Sequence, residues 1–153
     1  MPSNDLTLIG WRERVDLPEW GVRRIRAKID TGARTSAIDV AQIEYLADDR
    51  VRFEVVVRTR PERVTTWIEA DTARQSVVKP SSGERQRRVV CRTMMGIAGI
   101  KHEIELSLVC RKGMLCRMLI GRTALAGVFS VDPSRKYVLT KAKRTSPKRE
   151  VEQ

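Results

Sequence analysis

Ile25-Arg26-Ala27-Lys28-Ile29-Asp30-Thr31-Gly32-Ala33 and, much further along the chain, Leu119-Ile120-Gly121-Arg122-Thr123-Ala124-Leu125 are the two stretches whose joint reading decides the fold. The first alternates apolar and basic residues, the pattern of a strand with one buried face, and then delivers a carboxylate, a hydroxyl and a glycine. The second runs an apolar pair into Gly-Arg and a short apolar turn. Asp-Thr-Gly alone is ordinary turn chemistry, with the carboxylate bonded to a nearby backbone N–H. The glycine lets such N–H groups approach the carboxylate because no Cβ intervenes.

Working outward, the same alternation recurs. Val51, Phe53, Val55 and Val57 interleave with Arg52, Glu54 and Arg58, and Ile104, Leu106 and Leu108 with Glu103, Glu105 and Ser107. No long helical period appears; the helical candidates are a turn or two at Thr123–Ala126 and at Ala41–Leu46. Thr59–Ser76 alternates only weakly, around Thr66-Trp67-Ile68. Turn residues at Lys79-Pro80-Ser81-Ser82-Gly83 separate two strand-like runs, Gln75–Lys79 and Arg87–Cys91. The expected fold is all-β, a sandwich or partly closed barrel of short strands.

The 153 residues suit one domain. Its expected limits are 6–140, with a flexible stretch at 1–5 and a basic, disordered tail at 141–153. Lys and Arg number 30 against 19 Asp and Glu, a net charge of +11, which favours acidic partners. The excess is diffuse, and the few aromatics do not interleave with basic residues, so specific nucleic-acid binding is not expected. Three cysteines, Cys91, Cys110 and Cys116, read as reduced and mostly buried thiols. A catalytic Cys/His pair would need His102, the single histidine, and lone pairs of this kind seldom carry chemistry. There is neither a bilayer-length apolar stretch nor a charged-then-apolar leader, so a cytoplasmic protein without membrane contact is expected.

The two signature segments resemble those of retropepsin-like aspartic proteases, the family of the retroviral protease. Further stretches resemble the bacterial and archaeal branch often labelled ATP-dependent zinc proteases. These are Ile9-Gly10-Trp11-Arg12-Glu13, the run from Lys28 to Ala37, Ser81-Ser82-Gly83, the run from Arg117 to Leu125, and Val131-Asp132-Pro133. The zinc and the ATP of that label find no support in the residues. His102-Glu103 opens like His-Glu-x-x-His, but position 106 is leucine and the run has a strand period. No Gly-rich loop ends in Gly-Lys-Ser/Thr. No metal or cofactor is expected.

The resemblance implies a retropepsin-like barrel with a short helix after the Gly-Arg segment, and an aspartic peptidase. Asp30 would be the catalytic carboxylate, with Thr31 bonding across a dimer axis and Gly32 beside it. Leu119, Ile120 and Gly121 would pack behind Asp30, with no room for a side chain at Gly121. Ser81, Ser82 and Gly83 would form the tip of a flap over substrate. The chain has one Asp-Thr-Gly, so the resemblance implies a homodimer.

Viral enzymes follow Asp-Thr-Gly-Ala with an acid that pairs with the Gly-Arg arginine; Arg34 stands there instead, so Arg122 must find another carboxylate or an anion. With Lys28 on the strand face of Asp30, these cations point to an acidic peptide substrate over Ala33 and its neighbours. Relatives in this branch accompany an ATP-grasp ligase that adds glutamates to protein C-termini, which implies glutamate-tailed substrates or control of that ligase. Two other classes stay open: a catalytically silent peptide-binding accessory module, and a basic RNA- or ribosome-binding protein. Trp11, Trp20 and Trp67 are expected in the core or a dimer interface.

Overall fold

The computed structural model describes residues 5–79, 81, 83–110 and 115–141. Its elements are β1 (Thr7–Gly10), β2 (Arg12–Leu17), a 3-10 turn (Pro18–Trp20), β3 (Val22–Ile29), β4 (Ser36–Tyr45), β5 (Arg50–Arg58) and β6 (Val64–Asp71). β7 (Arg74–Val78), β8 (Gln86–Ile97), β9 (Ile100–Val109), β10 (Met118–Ile120), α1 (Arg122–Leu125) and β11 (Phe129–Asp132) follow. The all-β expectation holds, and so does the short helix after the Gly-Arg segment.

Six strands close a ring in the order β10, β3, β2, β8, β9, β4 and back to β10. Closure comes from β10, which lies parallel to β3 (Ile120 opposite Ile29) and antiparallel to β4 (Leu119 opposite Ala37). β5 and β6 extend the sheet from β4, and β7 lies along β8. β1 and β11 form a separate parallel pair. Inside the ring Ile25, Ile38, Leu106, Met118 and Ile120 are fully buried, and Trp20 meets Phe53 edge-on at 5.1 Å between ring centroids. That packing of apolar faces is the main stabilising term of the fold.

Alternation is obeyed closely in β3, where Val22, Ile25, Ala27 and Ile29 point in and Lys28 points out. The strand carries a kink at Arg24 (φ 54°), whose N–H is taken up by the Asp16 carboxylate at 2.8 Å. The helical expectation at Ala41–Leu46 is overturned. These residues continue β4 as far as Tyr45, paired to β5 through Ile43 opposite Phe53 and Tyr45 opposite Val51. A run that short is governed by its ladder partner more than by intrinsic propensity. The weakly patterned Thr59–Ser76 stretch becomes β6 and the start of β7. Trp67 faces outward there beneath the Arg52 guanidinium, 4.2 Å from the ring centre. Of the other tryptophans, Trp20 is in the core and Trp11 lies half-buried between Arg12 and Lys136.

Cys91 and Cys116 are buried and Cys110 is exposed, none of them in a disulfide; burial pushes the Cys91 thiol up to about 11. Among the described residues no helix is long and apolar enough to cross a membrane.

One buried carboxylate organises the end of the domain. Glu13 occupies an inward position of β2, with Val15 and Leu17, and is fully buried. It accepts hydrogen bonds from the backbone N–H groups of Gly10 (2.7 Å), Val138 (2.9 Å), Leu139 (3.2 Å) and Thr140 (2.9 Å), and from the Thr140 hydroxyl (2.6 Å). The segment after β11 is thereby fastened along β2. Replacing Glu13 by Gln turns one acceptor into a donor facing donors. Urea unfolding should show a loss of about 3 kcal/mol for Glu13→Gln. The exposed Glu84→Gln should change stability by less than about 0.5 kcal/mol.

Candidate active site

β3 does not stop pairing at its last strand residue. The Asp30 N–H donates to the Ile120 carbonyl at 2.8 Å, so the chain enters the Asp30 loop still tied to β10. The loop then turns back on itself: Ala33 N–H donates to the Asp30 carbonyl at 3.1 Å, and Gly32 N–H to Asp30 Oδ1 at 3.0 Å. A Cβ at position 32 would lie 3.3 Å from that oxygen, a tight contact that glycine avoids. Asp30 Oδ2 has no hydrogen-bond partner and Asp30 no ion pair among the described residues.

The Gly-Arg segment staples this loop from behind. Three successive carbonyls are engaged: that of Gly32 accepts from the Arg122 guanidinium at 3.2 Å, that of Ala33 from Arg122 N–H at 2.8 Å, and that of Arg34 from Thr123 N–H at 3.1 Å. The Thr123 hydroxyl adds a second bond to the Arg34 carbonyl at 2.8 Å. Gly121 N–H donates to the buried Ser36 hydroxyl at 3.0 Å. A Cβ on Gly121 would fall 2.7 Å from the carbonyl carbon and 2.8 Å from the nitrogen of Thr35. The first-turn N–H groups of α1, which a helix leaves unpaired, thus find their acceptors in the Asp30 loop.

The expected residues Asp30, Gly32, Ala33, Arg34, Leu119, Ile120, Gly121 and Arg122 come together here. Lys28 is exposed and sits opposite Leu119. Among the described residues Arg122 makes no ion pair with a carboxylate; its guanidinium donates to the Gly32 carbonyl. Thr31 is exposed, and no hydrogen bond occupies its hydroxyl among the described residues. Ser81 and Gly83 are exposed on the β7–β8 hairpin, and Ser82 lies outside the described residues. No hydrogen bond joins Ser81 or Gly83 to the Asp30 loop.

The sequence alone does not single out Ser36 and Thr123 as site residues. Ser36 shares the β4 face of Ile38 and Val40, and a hydroxyl at an apolar position is the one available signal. His102, in β9, donates through Nε2 to the Ala124 carbonyl at 2.7 Å, so it holds the end of α1. Beside the loop a cleft of about 690 Å³ is lined by Arg34, Thr35, Thr123, Arg74 and Arg92 with Glu103 and Glu105. Arg74 (2.6 Å) and Arg92 (3.2 Å) share Glu105, whose carboxyl is held below its usual range chiefly by its bond to Arg74.

Gly121→Ala should cost about 3 kcal/mol through the clash with the Thr35 backbone, measured by thermal unfolding. Gly96→Ala, whose Cβ would meet the Lys101 side chain at 3.4 Å and the Asp16 Cβ at 3.9 Å, should be far milder.

Residues 8–142 match the RimB-like family, described as retropepsin-like aspartic endopeptidase RimB. Probable alpha-L-glutamate ligases of Shewanella pealeana and Desulfotalea psychrophila are each 32% identical to the chain, over 90% and 91% of its length. That of Parasynechococcus marenigrum is 33% identical over 86%. The chain spans only 31%, 31% and 29% of these relatives. A crystal structure of a Legionella pneumophila protein of unknown function superposes with a TM-score of 0.72 at 22% identity. That match covers 89% of this chain and 100% of the other, a likeness of fold.

Proposed function

The chain belongs to the RimB-like family of retropepsin-like aspartic endopeptidases, and from that premise we propose that it hydrolyses peptide bonds as a homodimer, with two Asp30 carboxylates meeting on a two-fold axis. The observation that carries this reading is the Asp30 loop. It is held rigidly from behind, while Asp30 Oδ2 and the Thr31 hydroxyl are left without partners among the described residues on its outer side. One chain supplies half of a two-carboxylate site, and its outward-facing loop suits completion by an identical loop.

Two carboxylates at hydrogen-bond distance share one proton, because both cannot ionise comfortably. The ionised member takes a proton from a bridging water, whose oxygen attacks the peptide carbonyl carbon. The protonated member gives its proton to the carbonyl oxygen. Collapse of the gem-diol breaks the C–N bond: the amine leaves with the proton of the dyad, and one diol hydroxyl gives its proton back to the dyad as the new C=O forms. Water and one peptide bond become one carboxyl and one amine.

An acidic substrate is supported by the cations around the loop. Lys28 and Arg34 have no ion pair among the described residues, and Arg122 bonds only a neutral carbonyl. The relatives' name, probable alpha-L-glutamate ligase, adds glutamate-tailed polypeptide as the substrate class. Association with an ATP-grasp ligase of that kind is part of the proposal.

Asp30→Asn should keep fold, dimer and peptide binding, since the amide is nearly isosteric and still accepts from Gly32 N–H. Hydrolysis of a glutamate-rich peptide should fall by more than the roughly 10²–10⁴-fold typical of one lost acid–base group. Undiminished cleavage by the Asn chain would make Asp30 a turn residue and end the reading. Binding without turnover by the parent chain would favour the accessory-module alternative.

A further inference from the structure

Away from the Asp30 loop, the outward face of the β2–β3 ladder opens into a cavity of about 1050 Å³, bounded by β4, the β5–β6 turn and the residues before β10. Among the described residues eight arginines and no lysine line it, against two carboxylates. Both carboxylates are already engaged. Asp39 takes the buried Arg117 guanidinium at 2.6 Å, and Glu54 accepts from Gln42 at 3.2 Å and the Thr65 hydroxyl at 2.7 Å. We propose that this cavity is a second binding site, which takes a run of carboxylates on an acidic polypeptide.

Arg117 is paired with Asp39 and Arg58 with Glu62 at 3.2 Å, and the other six guanidiniums of the wall have no ion pair among the described residues. Arg14 stands directly opposite Arg26 in the β2–β3 register, with Arg24 next on the same strand. Like charges facing each other across a ladder are destabilising. Burial, and then Arg26 and Arg24, hold the Arg14 guanidinium below its usual range against the opposing pull of Tyr137. An anion in the cavity offsets the repulsion among these guanidiniums.

The chemistry of the lining selects the occupant. Guanidinium forks match carboxylates in bidentate geometry, better than lysine does. Among the described residues no aromatic side chain lines the cavity, so they offer a nucleobase no stacking platform. Val40, Val56, Val57 and Leu115 give an apolar floor that suits the methylenes of glutamate side chains more than bare phosphate. Arg26 and Lys28 alternate along the outer face of β3 toward Asp30, so cavity and loop are separated by about 13 Å of strand. A few extended residues bridge that gap. Identifying the occupant as substrate rests on the endopeptidase reading; the binding itself does not.

The test uses a labelled oligoglutamate peptide and the 153-residue Asp30→Asn chain, followed by fluorescence anisotropy. Arg26→Gln with Arg63→Gln should weaken binding by about tenfold per arginine. Lys101→Gln with Arg135→Gln, the same charge change on exposed residues elsewhere, should weaken it by less than about threefold. Arg23→Gln with Arg60→Gln is the second cavity variant should the first fold poorly. Equal weakening by cavity and control variants would overturn the proposal. So would tighter, cavity-dependent binding of an oligothymidylate or of tripolyphosphate. On the Asp30 background, turnover of a short neutral peptide should be untouched by the cavity variants. If the parent chain cleaves no peptide while cavity-dependent oligoglutamate binding persists, the endopeptidase reading fails and the binding site stands.

Discussion

Everything at the candidate site depends on the insertion of three residues, Met118–Ile120, between β3 and β4. That insertion closes the barrel and at the same time brings Gly121 against the Thr35 backbone, too close for any side chain. Once Gly121 is there, Arg122 and Thr123 are in place to take the Gly32, Ala33 and Arg34 carbonyls. The Asp30 carboxylate is thus positioned by backbone geometry, which is stiffer than side-chain packing on a loop. Rigid support of this kind is what a reacting group held to fractions of an ångström needs.

The charge pattern follows a second constraint. The buried carboxylates are consumed inside the structure: Glu13 by backbone N–H groups and the Thr140 hydroxyl, Asp39 by Arg117. Much of the remaining acid is spread in exposed pairs such as Arg50 with Asp71 at 2.7 Å and Arg52 with Glu44 at 3.1 Å, which contribute little to stability. Among the described residues, cations without an ion pair include six arginines of the ladder-face cavity and Lys28 and Arg34 at the Asp30 loop. The net charge of +11 attracts anionic partners, and its influence on encounter should weaken with salt.

Much of this architecture is legible in the order of the amino acids. Val51–Val57, Ile104–Leu108 and Ile25–Ile29 announce their strands because one face of each is buried and the other is wet. Gly121 and the Asp30 loop are legible because a steric exclusion and a turn leave fixed residue types at fixed spacing. What stays hidden depends on partners distant in sequence. Ala41–Leu46 runs as a strand to Tyr45 because Val51–Phe53 lies beside it, and β6 is patterned weakly because neither of its faces is fully buried. Glu13 at an inward position of β2 is a visible anomaly, but its donors lie at Val138–Thr140. The arginine cavity draws on β2, β3, β5 and the residues before β10 at once, and no local window contains it.

The central claim is that one active site needs the Asp30 carboxylates of two chains. Subunit mixing measures this directly: parent and Asp30→Asn chains are unfolded together in varied proportion, refolded, and assayed on an acidic peptide. If mixed dimers are silent, hydrolysis follows the square of the parent fraction, falling to about a quarter of the parent rate for an equal mixture. A linear decline, to about half at equal parts, would mean that each chain carries a complete site, and the shared-carboxylate account would be wrong.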